Sequence, residues 1–456
     1  MKIYVLLGVF SLLLLLSGRS YAQVLKNDGS SSGGSGKLLT DMIDTATQMG
    51  RNMLSMYNKF GQLGFSGYIQ SQYQISEMKG NPNPYQGGEW GPYTSNRFRL
   101  RRGRLRADYT HNTNDGKPSV YFLFQFEGTE RGVNIRDFWG RYYENKWELF
   151  HFSAGMMARP FGFEILYSST FREAPERGRM SQILMGTERD LGMMVSLNAR
   201  SKKVKLNWLM IDAGIYNGQG LTGPAEYDNL KDLVVRVSTK QRNVGSSKVK
   251  IAGGVSAFLG GITNQNKQLY TMKELDGQWN MTAGNPADTN HVGESAPRRY
   301  LGADARMVIS NRKGVTELRG EYIAGRQTGT LASTVTPGTY PLASNGTNQP
   351  LAVRQFDGAY FYFLQHLGGW SHQLVAKYDC YDPNKKVKSM DIGQDRGLTA
   401  ADIRYNTWGA GYVYYVNPHL KLTFWYEKPT NENTRLSGFE KDVRDGIFTF
   451  RTQFTF

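Results

Sequence analysis

Hydrophobic and polar residues alternate along most of the chain after its N-terminal region. At the end of the chain, for example, Phe448, Phe450 and Phe454 alternate with Arg451 and Gln453. Successive side chains of a β-strand point to opposite faces of the sheet, so this pattern predicts strands with one apolar face and one polar face.

Sixteen segments follow this alternation, and turn-forming residues separate them. They are 63–75, 97–109, 119–127, 133–143, 148–157, 190–199, 204–215, 232–239, 247–258, 299–309, 314–325, 356–366, 369–380, 404–416, 419–427 and 446–456. Strands of about ten residues, apolar outward and polar inward, are typical of transmembrane barrels. The sequence therefore predicts an all-β fold, a 16-stranded antiparallel transmembrane β-barrel over residues 62–456.

The lengths of the connections support the same fold. Tight connections are predicted at 144–146, 201–203, 310–313, 367–368 and 417–418. Long connections are predicted at 76–96, 158–189, 260–298, 326–355 and 382–403. Outer-membrane barrels have short periplasmic turns and long outer loops, whereas a soluble β-sandwich lacks this asymmetry. We therefore expect the tight turns on the periplasmic side.

The first 22 residues have the features of a signal peptide. Lys2 precedes an apolar run at 3–16, and Ser20-Tyr21-Ala22 forms a small-x-small cleavage site. This signal peptide would direct export of the chain and be cleaved after Ala22, and we expect the mature chain in the cell outer membrane. Residues 23–36 are rich in Gly and Ser, so they are predicted to be a flexible linker.

Residues 37–61 have a helical pattern instead. Apolar residues repeat with alternating three- and four-residue spacing at Leu39, Met42, Ala46, Met49, Met53, Met56 and Phe60. Two interpretations are open: an oligomeric, trimeric coiled coil, or one amphipathic helix packed on its own domain. Because this segment precedes the first strand, we expect it in the periplasm.

Composition excludes several other classes of protein. The 456 residues carry a formal net charge of +16, but the basic residues are dispersed over strands and loops, which argues against nucleic-acid binding. A lone Cys380, predicted to face outward, excludes a disulfide framework and a cysteine-based zinc site. The histidines lack paired metal-ligand spacing, and no enzyme activity, metal or cofactor is predicted.

Strand parity assigns charged residues to the barrel interior. The predicted inward cations are Arg102, Arg104, Arg106, Arg141, Arg236, Lys250, Arg306, Arg319, Lys377 and Arg451. The predicted inward anions are Asp137, Asp190, Asp304, Glu317, Glu321, Asp379 and Glu427. An excess of cations would concentrate anions, although salt screens this effect over about 8 Å. The alternative is that the charges pair across strands and stiffen the wall.

The same parity argument leaves one conflict. Arg97 and Arg99 fall on the parity opposite to Arg102 and Arg104, so a bulge or an extension beyond the membrane is needed to accommodate them. Trp139 and Trp425 are assigned to the interior.

Several motifs occur in order along the chain: GMMARPFGFEILYSS at 155–169, FREAPERG at 171–178, ERDLGMM at 188–194, YNGQG at 216–220, RYLGADARM at 299–307, LRGEYIAG at 318–325, KYDCYDPN at 377–384 and a C-terminal aromatic residue. With them the chain resembles the phosphate-selective porin O and P family. The resemblance implies a trimeric channel whose third long loop, here 158–189, folds inward as a constriction.

The cations of that loop are Arg159, Arg172, Arg177, Arg179 and Arg189, and its acids are Glu164, Glu173, Glu176 and Glu188. In phosphate-selecting members of the family, Arg and Lys line the constriction, because guanidinium groups match phosphate oxygens in pairs. Here acids are almost as numerous as bases. A selective constriction and a loop folded by salt bridges are therefore equal alternatives.

These observations predict an outer-membrane porin for passive diffusion of small hydrophilic solutes, with a moderate preference for anions that could include phosphate. Its expected partners are outer-membrane lipid, small anions or other hydrophilic solutes, and further copies of the chain in a homotrimer. The alternative is a plugged barrel that serves as a structural scaffold for another envelope protein. The methionine-rich seam at 37–61 motivates it, since Met surfaces adapt to partners.

Overall fold

The computed structural model describes residues 62–201, 203–222, 226–283, 290–369, 371–393 and 395–456. The predicted signal peptide, linker and N-terminal helix lie outside the described residues. Residues Gln62–Phe456 form one compact unit. None of the described helices is long and apolar enough to cross a membrane.

The described chain is built almost entirely from β-strands. The strands are β1 (Leu63–Ser76), β2 (Asn96–Asn112), β3 (Pro118–Thr129), β4 (Gly132–Tyr143), β5 (Phe150–Ala158), β6 (Arg189–Asn198), β7 (Leu209–Tyr216), β8 (Asp232–Thr239), β9 (Arg242–Val244), β10 (Ser246–Thr263), β11 (Leu269–Leu275), β12 (Gln278–Thr282), β13 (Ser295–Asn311), β14 (Gly314–Thr330), β15 (Leu351–His366), β16 (His372–Asp382), β17 (Tyr405–Asn417), β18 (Leu420–Asn431) and β19 (Ile447–Thr455). One short helix, α1 (Arg179–Leu184), and the 3₁₀ turns Gly220–Thr222, Ser389–Asp391 and Ala400–Asp402 lie in the connections.

Sixteen strands form a closed antiparallel barrel, which confirms the predicted fold. β1 pairs with β2 on one side and with β19 on the other, so the sheet has no free edge in the wall. The other three strands, β9, β11 and β12, are additions: β9 precedes β10, while β11 and β12 form a hairpin that pairs with β15 in parallel. Each predicted segment overlaps one wall strand.

Several strands are longer than predicted on the side of the long connections. β10 ends at Thr263 rather than at 258, β13 begins at Ser295 rather than at 299, and β15 begins at Leu351 rather than at 356. The hairpin of β11 and β12 was not predicted either. These extensions pair with each other and with loops beyond the apolar belt, so the strict apolar and polar alternation that marks a membrane strand is lost there.

The outer face of the wall is apolar and the inner face is polar. On β6, Leu191, Met193 and Val195 are about half exposed, whereas Asp190 and Ser196 are buried. A closed sheet leaves no unpaired backbone groups toward lipid, so this outer face suits a membrane.

A β-bulge resolves the conflict of parity in β2. The pairing register shifts between Gln70 and Ser71, so that Gln70 faces Arg102 while Gln72 faces Arg99. The extra residue is Arg101. Because of this shift, Arg97 and Arg99 share the inner face with Arg102. The bulge that the sequence analysis offered as one explanation is therefore present.

Candidate functional site in the barrel interior

Residues 159–188 lie inside the barrel and contact the wall on several sides. The carboxylate of Glu321 on β14 accepts hydrogen bonds from the backbone N–H groups of Phe163 (3.1 Å) and Glu164 (3.0 Å). Lys421 Nζ on β18 donates to the carbonyl of Thr170 at 2.7 Å. The loop begins at β5 and ends at β6, so these contacts with β14 and β18 show that it crosses the interior. We call this segment the inward loop.

Apolar side chains hold one part of the inward loop against the wall. Phe161 packs on Phe258 and Tyr300, with ring centroids 6.0 and 6.1 Å apart. Met180 and Leu184 of α1 are buried in the same cluster. Burial of these side chains fills the interior on this side, and the hydrophobic effect stabilises the loop there.

Glu176 is the centre of one ionic cluster. It lies in the inward loop and pairs with Arg101 (2.8 Å) and Arg102 (2.7 Å) on β2 and with Arg451 (2.8 Å) on β19. Burial alone would raise the pKa of Glu176, but the three guanidinium groups outweigh burial and hold the pKa well below its usual range. The carboxylate therefore stays charged and fastens the loop to β2 and β19, the two strands that flank β1.

Glu188 is the centre of a second cluster at the other end of the loop. It pairs with Arg177 (3.3 Å), Arg189 (2.7 Å) and Arg136. Burial opposes ionisation here too, yet the neighbouring arginines hold the pKa of Glu188 well below its usual range. The two clusters neutralise most of the basic residues that approach the loop.

The predicted inward cations all occupy inner-face positions of the wall, but most of them are paired with carboxylates. The pairs are Arg102 with Glu176 and Glu127, Arg104 with Glu127, Arg106 with Asp108, Arg236 with Asp304, Arg306 with Glu317, Arg319 with Glu173 and Glu317, Lys377 with Asp379 and Glu427, and Arg451 with Glu176. Only Arg141 and Lys250 have no carboxylate partner among the described residues. A role of these residues in conduction stays a prediction.

The five predicted loop cations have different surroundings. Arg159 pairs with Asp232 (3.3 Å) and Asp190 (3.6 Å), and Arg177 and Arg189 belong to the Glu188 cluster. Arg179 lies over the rings of Tyr405 (3.5 Å) and Tyr85 (4.5 Å).

Arg172 is the fifth of them. It is buried and forms no ion pair in the described part of the chain. Its pKa is lowered to about 9, mainly because it is buried and also because Arg177 and Arg102 repel it.

Beneath the inward loop, on the side of the tight turns, lies a cavity of about 590 Å³. Its floor includes Ser66 and Phe456 at strand ends, and its roof is formed by residues 165–171 and Arg177 of the loop. The charged residues that line it are Arg104, Arg106, Arg141, Arg177, Arg189, Asp137 and Asp212. A small hydrophilic solute would meet more positive than negative side chains there.

Arg141 is the most available of these cations. Its Nε donates to Ser153 Oγ at 2.9 Å, and its guanidinium lies 4.9 Å from the ring centroid of Trp139. No carboxylate in the described ranges pairs with it. The indole of Trp139 faces the same cavity, as predicted by parity.

Parity did not identify several charged residues of the interior. Arg136 was missed because a second register shift, between Gln125 and Phe126, places it opposite no single residue of β3. Lys421 could have been found, since it shares the inner face of β18 with Trp425 and Glu427.

Two buried pairs, Arg298 with Asp232 (3.0 Å) and Arg354 with Asp402 (2.8 Å), were also missed. Their arginines lie in the strand extensions that were not predicted. Among the described residues, no cluster of His, Cys, Asp and Glu could hold a metal ion.

The closed sixteen-stranded wall and the inward loop define a porin-like barrel. Among solved structures, the chain is similar to OprB of Pseudomonas putida, with a TM-score of 0.56 and 8% identity over 90% of this chain and 97% of that one. It is also similar to an anion-selective porin from Comamonas acidovorans (TM-score 0.48, 12% identity, 86% and 99% covered) and to OmpT, an outer membrane protein of Vibrio cholerae (TM-score 0.47, 9% identity, 86% and 97% covered).

At such low identity these similarities establish the fold alone, and of these three superpositions the one on OprB is close enough to support it. No protein-family model matches the chain, and no curated protein matches it in sequence. The resemblance to the phosphate-selective porin O and P family therefore stays a prediction.

Proposed function

We propose that the chain is an outer-membrane porin that admits small hydrophilic solutes by passive diffusion, with a moderate preference for anions. The observation that carries the proposal is the arginine-lined cavity beneath a loop that narrows the barrel. A sixteen-stranded barrel is wide enough for a water-filled channel, and a loop that crosses it sets the size of the solute.

The expected anion preference is modest because most of the arginines are already neutralised. Five arginines and two aspartates line the cavity, but four of the arginines form ion pairs: Arg104 with Glu127, Arg106 with Asp108, and Arg177 and Arg189 with Glu188. Arg141 is then the one arginine of the cavity wall that has no ion pair among the described residues, and Asp212 lines the same cavity. Two unit charges about 8 Å apart in water interact by about 0.5 kcal/mol, which corresponds to roughly a twofold change in local anion concentration.

Two finer features belong to the same proposal. Phosphate is one candidate solute, because the cavity presents several guanidinium groups that suit its oxygens. A homotrimer is the proposed assembly, which the heptad pattern at 37–61 supports. Phosphate that blocks the current of smaller anions would favour a specific phosphate site, while unchanged current would favour general anion diffusion.

Arg141→Gln is the variant that tests the proposal most cleanly. Arg102 and Arg104 are less suitable, because each belongs to an ionic cluster of several residues, around Glu176 or Glu127, and its removal would disturb the other members of that cluster. Arg141→Gln should lower the anion-to-cation permeability ratio roughly twofold. The reversal potential of the purified protein in a planar bilayer under a KCl gradient measures that ratio.

Arg312→Gln is the matched control, because it removes one exposed arginine from a tight turn on the same side, outside the cavity. It should leave the reversal potential unchanged. Equal reversal potentials in Arg141→Gln and the unmodified protein would contradict the proposed solute path. A folded protein with no conductance would instead favour the plugged scaffold.

A further inference from the structure

Two arginines face each other on the outer surface of the barrel. Arg299 on β13 is the direct ladder partner of Arg326 on β14. The next outward residues toward the tight turns are Leu301 on β13 and Ala324 on β14, which also pair with each other. Both arginines are exposed. The pair therefore lies on the face that meets lipid and not in the interior.

The pair marks the upper limit of the apolar belt. On β13 the outward residues from Leu301 to Ile309 are all apolar, a distance of about 26 Å along the strand at about 3.3 Å per residue. Arg299 is the first outward residue beyond that run on the side of the long connections. At a strand tilt of about 40° this run spans about 20 Å of the membrane normal, close to the height of about 25 Å of the apolar band of such barrels, so Arg299 lies near the edge of that band, next to the charged lipid headgroups.

Neither guanidinium is compensated by the described protein. Arg299 and Arg326 form no ion pair within the described ranges, and like charges directly opposite in a ladder are destabilising. The nearest outward carboxylate on β15 is Asp357, whose ladder partner is Ala324. That carboxylate is already engaged, with Lys385 Nζ at 2.8 Å and the hydroxyl of Tyr322 at 3.1 Å.

We propose that Arg299 and Arg326 bind the phosphate of an anionic lipid in the membrane leaflet on the side of the long connections. Two guanidinium groups on adjacent strands can each donate paired hydrogen bonds to phosphate oxygens. A phosphate between them would also remove the repulsion within the pair. Inorganic phosphate shares this chemistry.

A lipid is favoured over free phosphate because apolar surface continues beside and below the pair. Leu301 is 68% exposed, and Leu259, the ladder partner of Arg299 on β10, is 49% exposed. Acyl chains attached to the bound phosphate would cover these side chains. The proposal requires a membrane barrel but is independent of whether the barrel conducts.

Native mass spectrometry of the delipidated full-length protein in neutral detergent tests the site. Diphosphoryl lipid A is the probe, and an uncharged glycolipid of similar chain length is the reference. We expect the unmodified protein to retain the phosphorylated lipid preferentially. The double variant Arg299→Gln/Arg326→Gln should bind it about tenfold more weakly, as expected for two lost charge-assisted contacts.

The matched control is Arg312→Gln/Lys313→Gln, which removes the same charge from an exposed turn at the opposite end of the barrel. It should bind the phosphorylated lipid as the unmodified protein does. Equal binding by Arg299→Gln/Arg326→Gln, or an equal loss in the control, would overturn the site. Displacement of the lipid by inorganic phosphate at an equal molar concentration would overturn the lipid as its source.

Discussion

Ion pairs formed by individual residues explain why the barrel interior is less positive than its number of arginines and lysines indicates. Arg101, Arg102 and Arg451 all converge on Glu176, and Lys377 is held between Asp379 and Glu427. Breaking a buried pair of this kind by removing one partner costs about 3–5 kcal/mol. The pairs around Glu176 therefore hold the inward loop in position, and few cations of the interior remain unpaired in the described part of the chain.

Asp445 provides a test at the scale of one residue. It lies in the connection 432–446, outside the strands, and it is buried with one carboxylate oxygen lacking a hydrogen-bond partner in the described chain. Burial raises the pKa of Asp445 to about 7, although Arg179 acts in the opposite direction. Because the folded state prefers the protonated form, this group stabilises the fold at low pH.

That stabilisation is complete below the unfolded pKa and is lost as pH rises through about 7. The free energy of unfolding should therefore fall by about 1 kcal/mol from pH 6 to pH 8 through this group. Asp445→Asn should remove that part of the pH dependence and be the more stable protein at pH 8. Urea unfolding in lipid vesicles at both pH values measures this. An unchanged pH dependence in Asp445→Asn would refute the assignment.

The face of the wall on which a charged residue lies could be predicted from the sequence much better than the residue with which it forms an ion pair. Parity requires only a regular strand, so it placed Arg236, Arg319 and Lys377 on the inner face. It could not place Arg101 or Arg136, because each sits at a register shift. The partners Glu173 and Glu176 lie in a loop whose path depends on contacts with distant strands, which no local pattern encodes.

At the scale of elements, the proposed function assigns the limit on solute size to the inward loop. Its position follows from hydrogen bonds to β14 and β18, apolar packing of Phe161 and the two ionic clusters around Glu176 and Glu188. The resemblance to a porin family implied that this loop folds inward, and the structure places it there. The loop is the third long-side connection along the chain, and the short link between β3 and β4 is the second.

Gly162 is the point at which the inward loop turns against the wall. Its φ of +66° is unfavourable for other residues, and a Cβ at this position would collide with the carboxylate of Glu321. Gly162→Ala should therefore loosen the first part of the loop and raise the single-channel conductance. Single-channel recording in a planar bilayer measures the change.

Gly116→Ala is a suitable control for Gly162→Ala. Gly116 also has a positive φ, +78°, but a Cβ there would meet nothing within 4 Å. This variant has comparable backbone strain, costing about 1 kcal/mol, without a collision in the interior. Conductance should match that of the unmodified protein. If both variants conduct like the unmodified protein, the loop does not limit the passage of solutes.

At the scale of the whole molecule, the number of strands could be read from alternation and connection length together. Closure of the sheet into a barrel could be predicted without further information. In a membrane, an even number of strands must pair the last strand with the first so that every backbone group is hydrogen-bonded. The hairpin of β11 and β12 could not be predicted, since it packs on β15 beyond the belt. The assembly of several chains remains a prediction from the heptads.

The heptads give a test of that assembly. Met49→Lys/Met53→Lys places two charges in the predicted seam and should dissociate a homotrimer into monomers, because a buried charge without a partner is unfavourable. Asn52→Lys/Asn58→Lys adds the same charge outside the seam and should leave the trimer intact. Native mass spectrometry reports the number of chains. Trimers of equal stability in both variants would exclude a coiled coil as their cause.

The most direct test of the proposed function is the reversal potential of the purified full-length protein in a planar bilayer under a KCl gradient. The proposal predicts stepwise conductance and a reversal potential shifted moderately toward that of the anion, because Arg141 and its neighbours line the cavity with an excess of positive charge. A folded barrel that carries no current, or one that prefers cations, would contradict it.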